Sequence, residues 1–107
     1  MPILYASDSY TPLAIAAVIS ADLNDLYGTA RDELEIAMEE TESNTVYAAD
    51  DRAAAIEAFS TLKEAYEQAI READPETGTE VQSRVGQRIR ELEAAIEKMQ
   101  KMAIEGD

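Results

Sequence analysis

Three stretches of this chain carry apolar residues at steps of three and four, and only short runs of turn-forming residues separate them. That spacing is the α-helical period, which puts such residues on one face of a helix. In the first stretch Ile19, Leu23, Leu26, Ala30, Leu34, Ala37 and Met38 stay in phase. In the second they are Ala55, Ile56, Phe59, Leu62, Tyr66, Ala69, Ile70 and Ala73; in the third, Val81, Val85, Ile89, Leu92, Ile96, Met99 and Ala103. Nowhere does the strict alternation of a strand appear. Only 4 glycines and 3 prolines interrupt 107 residues, so intrinsic preference also favours helix. The expected fold is all-α: a three-helix antiparallel bundle, or a long helical hairpin, with an N-terminal arm. A chain of this length makes one domain, residues 1–107.

Local signals set the expected boundaries. Residues 1–10 read as an arm, with Ile3, Leu4 and Tyr5 apolar enough to pack back onto the body. Thr11-Pro12 opens the first helix, threonine as cap and proline at the first helical position, where no N–H is needed. That helix is expected over 11–42, continuous through Gly28. The rival is a break there, with Thr29 and Asp32 capping a new helix. Thr41 to Asn44 are turn-prone, and the second helix, within 45–74, is expected to start between Thr45 and Asp51 and to end at Asp74-Pro75, because a residue before proline avoids helical geometry. Glu76, Thr77 and Gly78 complete that turn. Thr79 and Gln82 form a capping-box pattern opening the third helix, 79–104.

What is missing narrows the chemistry. Cysteine and histidine are both absent, which removes thiolate chemistry, disulfides and the commonest general base. Carboxylates at helical spacing, such as Asp22 with Asp25, lack the histidine that di-iron bundles require. A calcium loop starting at Asp74 would place Val85 where a bidentate glutamate belongs. The reading is a protein with no catalytic, cofactor-binding or metal-binding residues. Its longest apolar stretch, Pro12 to Ala21, is about half of the ~20 residues a spanning helix needs. No basic region precedes it, so the expectation is a cytoplasmic protein that does not enter a membrane.

That same stretch is the main functional clue. From Leu13 to Ile19 the helix is apolar all round, and a helix of that kind needs cover on every side. A three-helix bundle covers one stripe. The arm, a second subunit or a different docked protein must shield the rest, and Leu13, Ile15, Val18 and Ile19 are the expected self-association surface of a homodimer.

Charge supplies the second clue. The chain carries −14, with ten acids against Arg31 alone in residues 1–50. Asp32, Glu35, Glu39 and Glu42 crowd the carboxyl end of the first helix, where the dipole prefers cations. They form either a solvated face or an acidic docking surface imitating a phosphate backbone. Direct nucleic-acid binding is not expected of such a polyanion. Arg84, Arg88 and Arg90 are a minor basic cluster, with Glu80, Glu91 and Glu93 at ion-pairing distance along the helix.

Ala55, Phe59 and Ala65-Tyr66, followed by an arginine-rich helix, resemble in spacing the last two helices of trafficking-type MIT modules and tetratricopeptide hairpins. The tryptophan and Leu-Gly pair of a tetratricopeptide start are missing, and the resemblance implies a helical hairpin without assigning a role to any residue. The functional expectation is a non-enzymatic, homo-oligomeric interaction, adaptor or regulatory protein with a protein partner. The alternative is an acidic inhibitor that blocks a nucleic-acid-binding protein, of phage anti-defence type.

Overall fold

A computed structural model describes residues 11–105. It contains α1 (Pro12–Glu42), α2 (Ala48–Glu72) and α3 (Pro75–Glu105), and no strand among the described residues. The expected all-α fold is the one adopted. Each helix packs against both others, α1 with α2 most extensively, so the architecture is a bundle rather than a hairpin. The arm, residues 1–10, lies outside the described residues.

α1 begins as its sequence dictates. The Ala14 N–H donates to Thr11 Oγ1 at 3.1 Å, and Pro12 occupies the first turn. The helix runs unbroken through Gly28, because Leu23, Ala30 and Leu34 bury on one face and any break would lose that phase. A Cβ added at Gly28 would meet nothing within 4 Å, so the glycine serves no close approach. Asn44, in the left-handed conformation that asparagine tolerates (φ 54°), turns the chain.

The boundaries of α2 and α3 differ in part from the sequence expectation. α2 starts at Ala48, inside the expected span of Thr45 to Asp51, because residues 43–45 close the end of α1: the Ser43 N–H donates to Glu39 O and the Thr45 N–H to Glu40 O; it ends at Glu72 rather than 74. α3 starts at Pro75 rather than Thr79, and the α2–α3 connection shrinks to Ala73 and Asp74. Asp74 is the cap: its Oδ1 accepts the Thr77 N–H at 3.0 Å and its carbonyl the Gly78 N–H at 2.9 Å. This repeats the Thr11-Pro12 device, with proline starting the next helix rather than merely ending the last. Thr77 and Gly78 are therefore helical and buried, while Thr79 and Gln82 face outward on a helix already formed.

The core draws its bulk from α3, where Val81, Val85, Ile89, Leu92, Ile96 and Met99 all bury. α2 adds Phe59 and Leu62; α1 adds Leu23 and Leu34 among alanines. Met99 and Phe59 are thus core residues, whereas Ile56, placed on the α2 stripe by its spacing, is partly exposed. Where α2 crosses α3, Gly86 admits Tyr66: a Cβ there would stand 3.0 Å from the tyrosine Oη. Lys63 of α2 meets Glu93 of α3 at 2.6 Å, and the Glu93 hydrogen bond and charge hold the lysine above its ordinary pKa.

Candidate functional site

α1 presents branched side chains along a line where α2 presents mainly alanines, with Gln68 and Glu72 beside them. Ile15, Ile19 and Leu26 recur along one flank of α1, and Ala65, Ala69 and Ala73 recur at steps of four along the opposing flank of α2. Alanines cannot fill the space between two helices, which needs interdigitating side chains. The result is a groove of about 540 Å³, open to solvent along its length. It lies at the end of the bundle where α1 begins and α2 ends, and the first turn of α3 contributes Asp74 and Thr77.

The walls of the groove are apolar and its charged groups are all of one sign. Asp22, Glu72 and Asp74 line it, with Gln68 and no lysine or arginine. The Thr77 N–H bond holds the Asp74 carboxyl below its ordinary pKa. The Thr77 hydroxyl lies near the same carboxylate and adds to that shift without reaching hydrogen-bond geometry, so Oγ1 is a buried polar atom with no partner in the protein. Thr77 is 98% enclosed, at 2% exposure. Helix ends of both signs meet here, the carbonyl end of α2 and the amino ends of α1 and α3, so the backbone adds no net negative charge to that of the carboxylates.

Of the four candidate self-association residues, Val18, Ile15 and Ile19 fall within about 100° of one another on α1, and Leu13 stands apart. Ile15 and Ile19 line the groove. Val18 lies beside Ile15 on the solvent side, about 60° round the helix, and Leu13 about 160° round in the opposite sense. Both point outward, Leu13 at 57% and Val18 at 65% exposure. Between Pro12 and Ala21 there is no charged side chain, so these two residues stand on an uncharged, largely apolar pair of turns.

Asp32, Glu35, Glu39 and Glu42 are all exposed, and they fall within about 80° of one another on the outer side of α1's second half. Arg31 bonds Asp32 at 3.3 Å and reaches Glu35 at 4.0 Å; the last turn holds no basic residue. The arginines of α3 divide instead of clustering. Arg84 pairs with Glu80 at 2.9 Å. Arg88 clasps α1, donating to Asn24 Oδ1 at 3.2 Å and lying 5.8 Å from the Tyr27 ring centroid. Arg90, two residues on, projects to the other flank and donates to Gln87. Of the expected local pairs only Glu80–Arg84 forms; Glu93 goes to Lys63.

Among the described residues no three carboxylates converge as a metal site would require, and no helix is long and apolar enough to cross a membrane. Tyr5 and Tyr10 lie outside the described residues; Tyr47 is exposed. Sequence reasoning missed Asp74, Thr77, Ala65, Ala69 and Glu72 as site residues. The alanines at steps of four were a visible signal, but only the pairing of helix faces shows what they oppose.

Comparison with curated proteins and with solved structures finds no match. A family profile described as the embryogenesis-like protein helical domain matches residues 17–101, spanning parts of all three helices. On that match, which covers most of its length, the chain belongs to the embryogenesis-like protein helical domain family.

Proposed function

We propose that this is a non-enzymatic interaction protein, adaptor or regulator in kind, that self-associates through the outward side of α1's first turns. One observation carries the reading: Leu13 and Val18 are more than half exposed on turns without charge. Two chains of −14 repel wherever carboxylates meet, and the Pro12–Ala21 segment is where they do not. A symmetric contact there buries apolar surface at ~25 cal/mol per Å² with no like charges opposed. The absence of cysteine and histidine supports the non-enzymatic part, and the polyanionic charge argues against direct nucleic-acid binding. We assign the protein to the cytoplasm on the same sequence grounds.

Light scattering after size exclusion, at low salt and at ~0.5 M salt, tests the assembly. A dimer should hold or tighten as salt screens the residual repulsion. Leu13→Asp with Val18→Asp, both at exposed positions, should return it to monomer with the helical signal intact. A wild-type monomer at ~0.1 mM under both conditions rejects self-association, since a dimer weaker than that has less than about 6 kcal/mol of association free energy.

The grouping of Asp32, Glu35, Glu39 and Glu42 favours a second reading, an acidic face that occupies a basic nucleic-acid-binding protein. It requires binding that weakens with salt and is competed by DNA or RNA. Reversing Glu35, Glu39 and Glu42 to lysine should abolish it.

A further inference from the structure

We infer that the groove between α1 and α2 is a docking site for a basic amphipathic helix of another protein. The inference does not rest on self-association, which uses Leu13 and Val18 outside the groove, Val18 standing about 60° round the helix from Ile15.

The shape comes first. The groove is long and open, and it runs beside Ile15, Ile19 and Leu26, residues spaced along one helix flank over about 16 Å at 1.5 Å per residue. An apolar trough of that form suits the apolar face of a helix, whose anchors at i, i+3, i+4 and i+7 span about 10.5 Å and fit within it. Its alanine wall, Ala65, Ala69 and Ala73, lets an incoming backbone approach closely.

Charge then selects the occupant. The groove is rimmed by Asp22, Glu72 and Asp74 with no cation among its lining residues. A second copy of this chain, at −14, would bring carboxylates against carboxylates there. The arm offers no lysine or arginine in residues 1–10, and carries Asp8. A helix with lysine or arginine flanking its apolar face meets all three carboxylates. An ammonium or guanidinium carried by such a helix would stand beside Asp74 at the end of the groove.

The test uses the full chain and three fluorescein-labelled synthetic 18-residue peptides at ~0.15 M salt, read by anisotropy. One has leucine and isoleucine on one helical face and lysine and arginine on the other. The second has the same composition scrambled, and the third replaces its bases with glutamate. The first should bind at least tenfold more tightly than either control. Ala69→Leu, which fills the groove without changing charge, should weaken it tenfold or more. Ile15→Ser, at a surface position, should weaken it severalfold and guards against a packing defect in the first variant. Asp22→Lys with Glu72→Lys should shift preference toward the acidic peptide. Glu35→Lys with Glu39→Lys, on the far face, should leave affinity within about threefold, the range left to long-range charge at this salt. Equal binding of the scrambled peptide, loss of binding only in the far-face variant, or no binding to the full chain overturns the inference. The last outcome would leave the arm or a second copy as the groove's occupant. None of these results depends on whether the protein is a monomer or a dimer, so this proposal and self-association can fail separately.

Discussion

Replacing Gly28 by alanine should make the protein more stable, and the size of the gain follows from what surrounds the residue. Gly28 sits in the interior of α1, with helix extending to Pro12 on one side and Glu42 on the other. In such a position glycine is less favourable than alanine by about 0.8–1.0 kcal/mol in helix propensity. Much of that reflects the freedom glycine has in the unfolded chain. Packing neither adds to nor subtracts from this, because the new methyl would meet nothing within 4 Å. The expected gain is therefore about 0.5–1 kcal/mol, or about 3–6 °C in Tm for a domain of this size. Urea and thermal unfolding followed by circular dichroism at 222 nm would measure it, with both proteins at one concentration in case they assemble. A higher urea midpoint at unchanged slope is the predicted signature. An unchanged or lower midpoint refutes the reasoning, since it would mean that Gly28 is needed for a backbone break or a contact that a straight α1 does not contain.

Gly86 offers the contrast: its Cβ would come to 3.0 Å from Tyr66 Oη, so Gly86→Ala should gain less than Gly28→Ala or lose stability. Tyr66→Phe removes that oxygen, and a double-mutant cycle should show Gly86→Ala improving by ~0.5–1 kcal/mol in its presence. Ser20→Ala deletes a buried hydroxyl with no partner in the protein, and should be neutral or stabilising by up to about 1 kcal/mol on denaturation. A loss above that range would reveal an ordered water on Ser20 Oγ. Asp74→Ala should lower Tm by removing the cap of α3. Because the folded Asp74 pKa lies below its ordinary 3.8, its ionised form contributes stability that is fully present above 3.8 and lost as pH falls through the lower value. The Tm gap between wild type and Asp74→Ala should thus narrow as pH drops below 3.8, and a constant gap counts against the cap.

How far the chain could be read depended on the range of the interactions involved. The α1 start was legible because Thr11 and Pro12 act on their own first turn, within four residues. Asp74-Pro75 carries the same local information, but a proline signals both an ending and a beginning. Only the bond from the Thr77 N–H to Asp74 shows that the beginning prevails. The acidic residues of α1 were legible as one face because they lie on one helix. Arg88 was not legible, since its partners Asn24 and Tyr27 are more than sixty positions away.

Residue order alone makes this chain helical, in three long segments with apolar stripes, strongly acidic, and without the side chains for thiolate or imidazole chemistry. Those properties rest on composition and on contacts within a few residues. The pairing of helix faces came from packing between the helices. It set the alanines of α2 against Ile15, Ile19 and Leu26, opened the groove between them, and brought Asp74 and Thr77 to its end. It also parted Leu13 and Val18 from that groove, although all lie within one short apolar run. The reason is physical: periodicity fixes which residues share a face of one helix, whereas which face meets which neighbour depends on side-chain volumes across the whole interface.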